Sequence, residues 1–316
     1  FLYNPGHEHD SCGVGFVAST DGKQRREVVQ GGIDALKAVW HRGAVDADGK
    51  TGDGAGILTQ IPYNFFDDEI AKTGHEKRDE TLGIGMMFLP RNDYAALEKC
   101  RTIIESELLD HGYYIYGWRQ VPINNSVIGE KANSTRPEIE QVMFVNNIER
   151  DKDFDFAKEL YLVRRRLEKR IAKQQINGFY VCSLSFESII YKGLFLAEQL
   201  SIFYPDLANE EFISSFAVFH QRYSTNTFPS WGLAQPFRLL AHNGEINTIS
   251  GNTNWMRNHQ TRITTEIFGD DSEQVKPIIE KNVSDSSALD AAFELYVSCL
   301  LYTSPSPRDK RQSRMP

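Results

Sequence analysis

Three short segments carry residues able to do chemistry: Cys12-Gly13-Val14-Gly15-Phe16, His220-Gln221-Arg222-Tyr223-Ser224-Thr225-Asn226-Thr227 and Ala241-His242-Asn243-Gly244-Glu245-Ile246-Asn247-Thr248. Together they hold the parts needed to hydrolyse a side-chain amide. A thiolate at Cys12 can attack the amide carbon, provided something takes its proton. A free α-amino group titrates near pH 7.7–8.0, close to working pH, and suits a general base. If Cys12 began the mature protein, one residue would supply both groups. While the Ser11–Cys12 peptide bond exists, that nitrogen is an amide and cannot accept a proton. Attack makes the carbon tetrahedral and builds negative charge on oxygen. The Asn243 side chain and the Gly244 backbone N–H can form an oxyanion hole for that charge. Arg222 can hold a carboxylate through a two-pronged contact that lysine would not match.

Blander readings compete for the same residues. Gly13-x-Gly15-x-x-Ala18 loosely fits a dinucleotide fingerprint. That fingerprint needs a strand before it and a helix after it, whereas here a polar tail precedes and Ser19-Thr20-Asp21-Gly22 follows as a turn. Gly52-x-Gly54-x-Gly56 is followed by no Gly-Lys-Ser/Thr and is no P-loop. An isolated Asn-Gly pair is ordinary in hairpin turns. Cys100, Cys182 and Cys299 read as buried small hydrophobes, and none belongs to a C-x-x-C pair that would suit zinc or an iron–sulfur cluster. His7 and His9 read as part of a solvated tail rather than as metal ligands.

Positioning such a site needs a scaffold, and the pattern predicts a sheet-rich one. β-branched and aromatic runs predict strands at Val14–Ser19, Gly56–Ile61, Leu82–Leu89, Tyr113–Trp118, Val142–Asn146, Phe179–Ser185, Ile189–Tyr191, Phe212–His220 and Leu239–His242. Helical periodicity predicts helices at Val29–Trp40, Tyr94–His111 and Phe154–Lys173, and another running from Ser284-Asp285-Ser286 through Tyr296. In the third, Ala157, Leu160, Val163, Leu167 and Ile171 share a face. The opposite face carries Arg164, Arg165, Arg166, Lys169 and Arg170, read as solvated, with a docking patch for acidic partners as the alternative. Strands cluster rather than alternate with helices, which favours layered antiparallel sheets over a doubly wound parallel one.

A chain of 316 residues, 41% hydrophobic, can bury a real core. A formal charge of −8 argues for a soluble protein and against a nucleic-acid surface. Apolar runs such as Gly83 to Leu89 are too short to span a bilayer. The first ten residues lack the regions of a secretory signal and, being acidic and without arginine, do not read as a transit peptide. A cytoplasmic location is therefore expected, or a plastid if the source is a photosynthetic eukaryote.

The chain resembles the class II glutamine amidotransferase domain, specifically that of the large subunit of glutamate synthase, from about Leu2 to about Ser298. Besides the segments above, the resemblance rests on His41-Arg42-Gly43-Ala44, Thr51-Gly52-Asp53-Gly54-Ala55-Gly56, Phe228-Pro229-Ser230-Trp231 with Ala234-Gln235-Pro236-Phe237-Arg238, Gly251-Asn252-Thr253-Asn254-Trp255-Met256 and Ser284-Asp285-Ser286. It implies an α+β fold, a four-layer αββα sandwich of the N-terminal-nucleophile hydrolase type. It implies Cys12 as nucleophile, Asn243 and Gly244 as oxyanion hole, and Arg42 as an arginine supporting the nucleophile's surroundings. Arg222 would take the α-carboxylate of L-glutamine. Asp285 would take its ammonium, although an acidic residue opening a helix explains Asp285 equally well. Trp231 matches a mobile loop that closes over glutamine, a core tryptophan being the alternative.

The resemblance further implies residues 1–11 as a propeptide, the amidotransferase domain over 12–301, truncated at its C-terminal end, and a disordered, foreign tail over 302–316. No cofactor is expected in this fragment; FMN and an iron–sulfur cluster are expected in the full-length enzyme. Partners implied are a downstream synthase domain of the same polypeptide and an electron-donating small subunit or ferredoxin, with no nucleic acid and no membrane. Alternatives are an amidotransferase domain feeding another acceptor, and a catalytically silent glutamine-binding module.

Overall fold

A computed structural model describes residues 13–151, 154–222, 227–244, 246–281 and 283–299. The chain opens with β1 (Val14–Ala18), α1 (Arg26–Ala38), β2 (Ala55–Gln60), α2 (Tyr63–Lys72), β3 (Leu82–Leu89), α3 (Tyr94–Asp110) and β4 (Tyr113–Gln120). It continues through α4 (Glu130–Ser134), β5 (Glu138–Asn146), α5 (Phe156–Lys173), β6 (Tyr180–Ser185), β7 (Ser188–Gly193), α6 (Leu200–Phe203), β8 (Phe216–Gln221), α7 (Ile249–Phe268) and α8 (Asp285–Cys299).

The strands form two four-stranded sheets, ordered β1-β8-β2-β7 and β4-β5-β3-β6. Every pairing is antiparallel. β6 and β7 form a hairpin-like corner that leads the chain from the second sheet into the first. β3 is buried along its whole length, which is why Leu82–Leu89 reads as a continuous apolar run rather than an alternation. Its even-numbered Ile84, Met86 and Phe88 enter the main core with Ile139 and Met143 of β5, Ile57, Tyr191 and Phe219 of the first sheet, and α1 and α2. Its odd-numbered Met87 and Leu89 enter a second core beneath α3 and α5. The result is two antiparallel sheets flanked by helices, the α+β sandwich expected from the sequence.

The sequence and the structure part in several places, and the shorter helices α2, α4 and α6 had no predicted counterpart. Leu239–His242 is not a strand. Its backbone donors are claimed by side chains instead: Asp290 Oδ1 accepts from the Leu239 and Leu240 N–H groups at 2.9 and 3.2 Å, and Gln235 Oε1 accepts from His242 N–H at 2.9 Å. The twenty-residue α7 had no counterpart in the predicted elements, because its surface is largely polar and it buries little.

The arginine face of α5 is solvated only in part, since Arg164 and Arg165 are buried. Arg164 is 3% exposed, bound to Glu168 at 2.8 Å and to Glu294 of α8 at 2.7 Å. Arg165 pairs with Glu168 at 2.9 Å and Glu280 at 3.1 Å, and Arg166 and Arg170 both reach Glu107 of α3. Burial opposes the ionised form of Glu168, but Arg164 and Arg165 hold its carboxyl down at about 2. α5 is thus covered on its second side by the α7–α8 region, where Tyr161 and Leu162 pack with Val275, Ile278, Ile279, Ala288 and Leu295.

Candidate active site

β8 carries the site's central residues. At its end the Gln221 N–H donates to the Gly13 carbonyl at 2.6 Å, and the Arg222 N–H donates to the Gly54 carbonyl at 2.8 Å. Gly13 has room for no side chain: a Cβ would lie 2.3 Å from the Gln221 carbonyl oxygen and 3.4 Å from Arg42 Cβ. Gly54 sits at φ +136°, a conformation costly for other residues, and presents its carbonyl to Arg222. The residue following Cys12 is therefore clamped between the end of β8 and the short 3₁₀ turn Trp40–Arg42. Cys12 itself lies outside the described residues, as do the 1–11 and 302–316 segments.

Arg222 is 6% exposed. Its Nη2 donates to Thr227 Oγ1 at 2.8 Å, while Nη1 is buried with no acceptor among the described residues. Burial lowers its pKa, opposed by the charge of nearby Asp53. A buried guanidinium nitrogen without an acceptor is uncommon and costly. A carboxylate is one acceptor that such a nitrogen can take.

Two residues back, His220 is buried with neither ring nitrogen properly hydrogen-bonded. Burial pushes its pKa down to about 3; the His242 backbone and the Asn243 side chain, at the margin of bonding geometry, oppose the shift. The imidazole is therefore neutral at working pH, and Asn243 stands beside it. The Gly244 N–H, the second expected oxyanion donor, donates to His242 Nδ1 at 3.0 Å. The His242 ring must turn away before that N–H can serve another acceptor. Asp285 opens α8, and its Oδ2 accepts from the Ile246 N–H at 2.9 Å, two residues beyond Gly244. It also lines an open cleft with Ser250, Thr253, Asn254 and Arg257 of α7.

Arg222, Asn243, Gly244, Asp285 and the Gly13–Arg42 contact thus belong to one connected set. Trp231 does not. It is 5% exposed, donates from Nε1 to the Ala132 carbonyl at 3.2 Å, and packs edge-on to Phe88 and Phe195 in the main core. A ring so packed is the core tryptophan of the alternative, and the lid expectation for Trp231 is withdrawn; Phe228, in the same stretch, is 95% exposed.

Sequence reasoning missed His220, Gln235, His242 and Ser286. The last touches both the His242 and Gly244 carbonyls, at 3.3 and 3.5 Å. Their only sequence signal was membership of the quoted motifs. Cys100 and Cys182 are fully buried, and burial pushes their thiols up to about 11 and about 12, so neither is a usable nucleophile. Among the described residues no cluster of His, Cys, Asp or Glu could hold a metal ion, and no helix is long and apolar enough to cross a membrane.

A two-sheet sandwich with a glycine-bound strand end, a buried arginine and an Asn-Gly pair is the arrangement expected of an amidotransferase. The family of class-II glutamine amidotransferases matches residues 12–303, and the chain belongs to that family. It is 61% identical over 295 residues to the glutamate synthase [NADPH] large chain of Azospirillum brasilense, covering 93% of this chain and 19% of that one. It is 42% identical to the chloroplastic ferredoxin-dependent glutamate synthase of Spinacia oleracea, over 92% of this chain and 18% of that one. It is also 42% identical to the glutamate synthase [NADH] of Saccharomyces cerevisiae, over 93% of this chain and 14% of that one. The chain spans about a fifth or less of the length of these relatives, and matches their N-terminal domain.

Proposed function

We propose that this chain is the glutamine-hydrolysing domain of a glutamate synthase, releasing ammonia from L-glutamine for use elsewhere in a longer polypeptide. The observation that carries the reading is the buried Arg222 guanidinium, one nitrogen of which has no acceptor among the described residues, on the strand end that also holds Gly13. In this reading Arg222 receives the α-carboxylate of glutamine and Asp285 its ammonium. The Cys12 thiol gives its proton to the free α-amine of the same residue, and sulfur attacks the side-chain amide carbon. The Asn243 amide and the Gly244 N–H stabilise the oxyanion, the latter after His242 turns aside. Arg42, close to Gly13, adds positive charge near the thiolate. Ammonia leaves with a proton from the α-amine, and water then hydrolyses the thioester to glutamate.

The acceptor, 2-oxoglutarate, and the FMN and iron–sulfur chemistry that reduces the imine belong to a downstream synthase domain. No residue of this chain is assigned to hold those groups. The similar proteins are named for NADPH, NADH and ferredoxin. The domain is shared across all three names, which supports a role that does not touch the electron donor, whether a small subunit or ferredoxin. The site of action proposed is the cytoplasm, or the plastid in a photosynthetic source.

The test compares chains beginning at Phe1 and at Cys12 for reaction with an electrophilic glutamine analogue, read by mass spectrometry. Labelling of Cys12 in the processed form alone is expected. Equal labelling of both would remove the α-amine as base.

A further inference from the structure

The segment that carries Asn243 has no strand partner among the described residues, yet its geometry must be held closely. An oxyanion donor has to sit about 2.7–3.1 Å from an oxygen position that exists only beyond the ground state. At His242 one side chain takes both main-chain groups, as a partner strand would. Gln235 Nε2 donates to the His242 carbonyl at 2.9 Å, and Gln235 Oε1 accepts from the His242 N–H at 2.9 Å. A carboxamide has the donor and acceptor of a peptide group, so this pair copies one rung of an antiparallel ladder. Gln235 is 4% exposed, so water does not compete for the pair.

The other end of the brace is equally fixed. The Gln235 carbonyl lies against Gly56, where a Cβ would come within 2.5 Å of it. Gly56 faces His220 in the β2–β8 register. Gln235 thus couples the Asn243 segment to the strands that hold Arg222 and Gly13.

We propose that Gln235 is a positioning residue for the oxyanion hole, acting through the His242 main chain on Asn243 and Gly244. The proposal rests on the glutaminase reading above. Gln235 touches neither Arg222 nor Asp285 in any hydrogen bond of the described structure, so substrate binding should be spared while turnover suffers. Misplacement by about 1 Å can cost about a hundredfold in rate.

The test uses the mature chain beginning at Cys12, with Gln235→Leu, which keeps the shape and loses both bonds, and Gln235→Glu, which keeps only the acceptor. Steady-state glutamine hydrolysis gives kcat and KM, and circular dichroism gives folding. The expected result is a kcat about 10–100-fold lower in Gln235→Leu with KM within about threefold, and a smaller loss of kcat in Gln235→Glu. Three outcomes overturn the proposal: an unchanged kcat, a rise in KM that accounts for the whole loss, or failure of both variants to fold, which would make Gln235 a residue of the fold alone. An inactive parent chain would instead sink the glutaminase reading, so the two failures are distinguishable.

Discussion

Replacing Arg222 should move affinity and stability in opposite directions. In the structure its Nη2 is satisfied by Thr227 Oγ1 at 2.8 Å and its Nη1 is buried without an acceptor among the described residues. A hydrogen bond to a charged partner is worth about 1.5–3 kcal/mol, or roughly 10–150-fold in binding. Lysine at this position has one ammonium to share between Thr227 and the substrate, and cannot present two parallel N–H groups. Arg222→Lys should therefore raise KM for glutamine by roughly 10–150-fold while kcat changes little. Arg222→Met removes the buried, half-paired cation altogether. The ligand-free protein should then gain on the order of 1 kcal/mol in stability, since an unmet buried polar group costs about 1–3 kcal/mol. Calorimetric titration of glutamine into a Cys12→Ser background measures the first effect, and urea denaturation with and without glutamine the second. If Arg222→Lys binds glutamine within threefold of the parent, or if glutamine still stabilises Arg222→Met, the carboxylate assignment is wrong.

Asn243→Ala should lower kcat by about 10²–10³ with KM within threefold, the phenotype of a donor that acts only on the oxyanion; the same KM rise as Arg222→Lys would refute that role. Glu294→Ala removes a buried carboxylate that joins Arg164 at 2.7 Å to Arg238 at 3.0 Å, and should cost about 3–5 kcal/mol by urea denaturation; a loss below 1 kcal/mol would mean the cluster relaxes freely. His220 has its pKa depressed from 6.5 to about 3, so it is neutral in both folded and unfolded chains above pH 6.5. Below that pH only the unfolded chain takes the proton. Its contribution to stability is thus lost as pH falls from 6.5 towards 3, by about 1.4 kcal/mol per unit. His220→Gln should flatten the stability-versus-pH curve in that window, and parallel curves for the two proteins would count against a buried neutral imidazole.

The strands were legible because their signal is local. Val14–Ala18, Leu82–Leu89 and Tyr180–Ser185 are β-branched or apolar runs bounded by turn residues, and each forms within a residue or two of its predicted limits. The Leu239–His242 run carries the same local signal, but its hydrogen bonds go to Asp290 and Gln235, which no local pattern reveals. The α5 arginines fail for a related reason. A charged stripe looks solvated until acids distant in sequence, Glu107, Glu280 and Glu294, turn up against it. At the site, the types of Arg222, Asn243 and Gly244 suggest chemistry, whereas His220, Gln235 and Ser286 stand out only by where they sit. Trp231 shows the converse: an aromatic inside a motif is a poor guide to whether it faces the substrate or the core.

The pairing of the first strand with the eighth sets a schedule for biosynthesis. Val14 has its ladder partner at His220, some two hundred residues later, and no other strand beside it among the described residues. At roughly 5–20 residues per second, the ribosome needs roughly 10–40 s to deliver that partner after β1 emerges. Gly13 waits equally long for the Gln221 N–H that clamps it. Asp285, which secures Ile246, comes later still. During that interval Val14–Ala18 has no ladder to join. Any step that needs this strand end folded can begin only when most of the domain has been made.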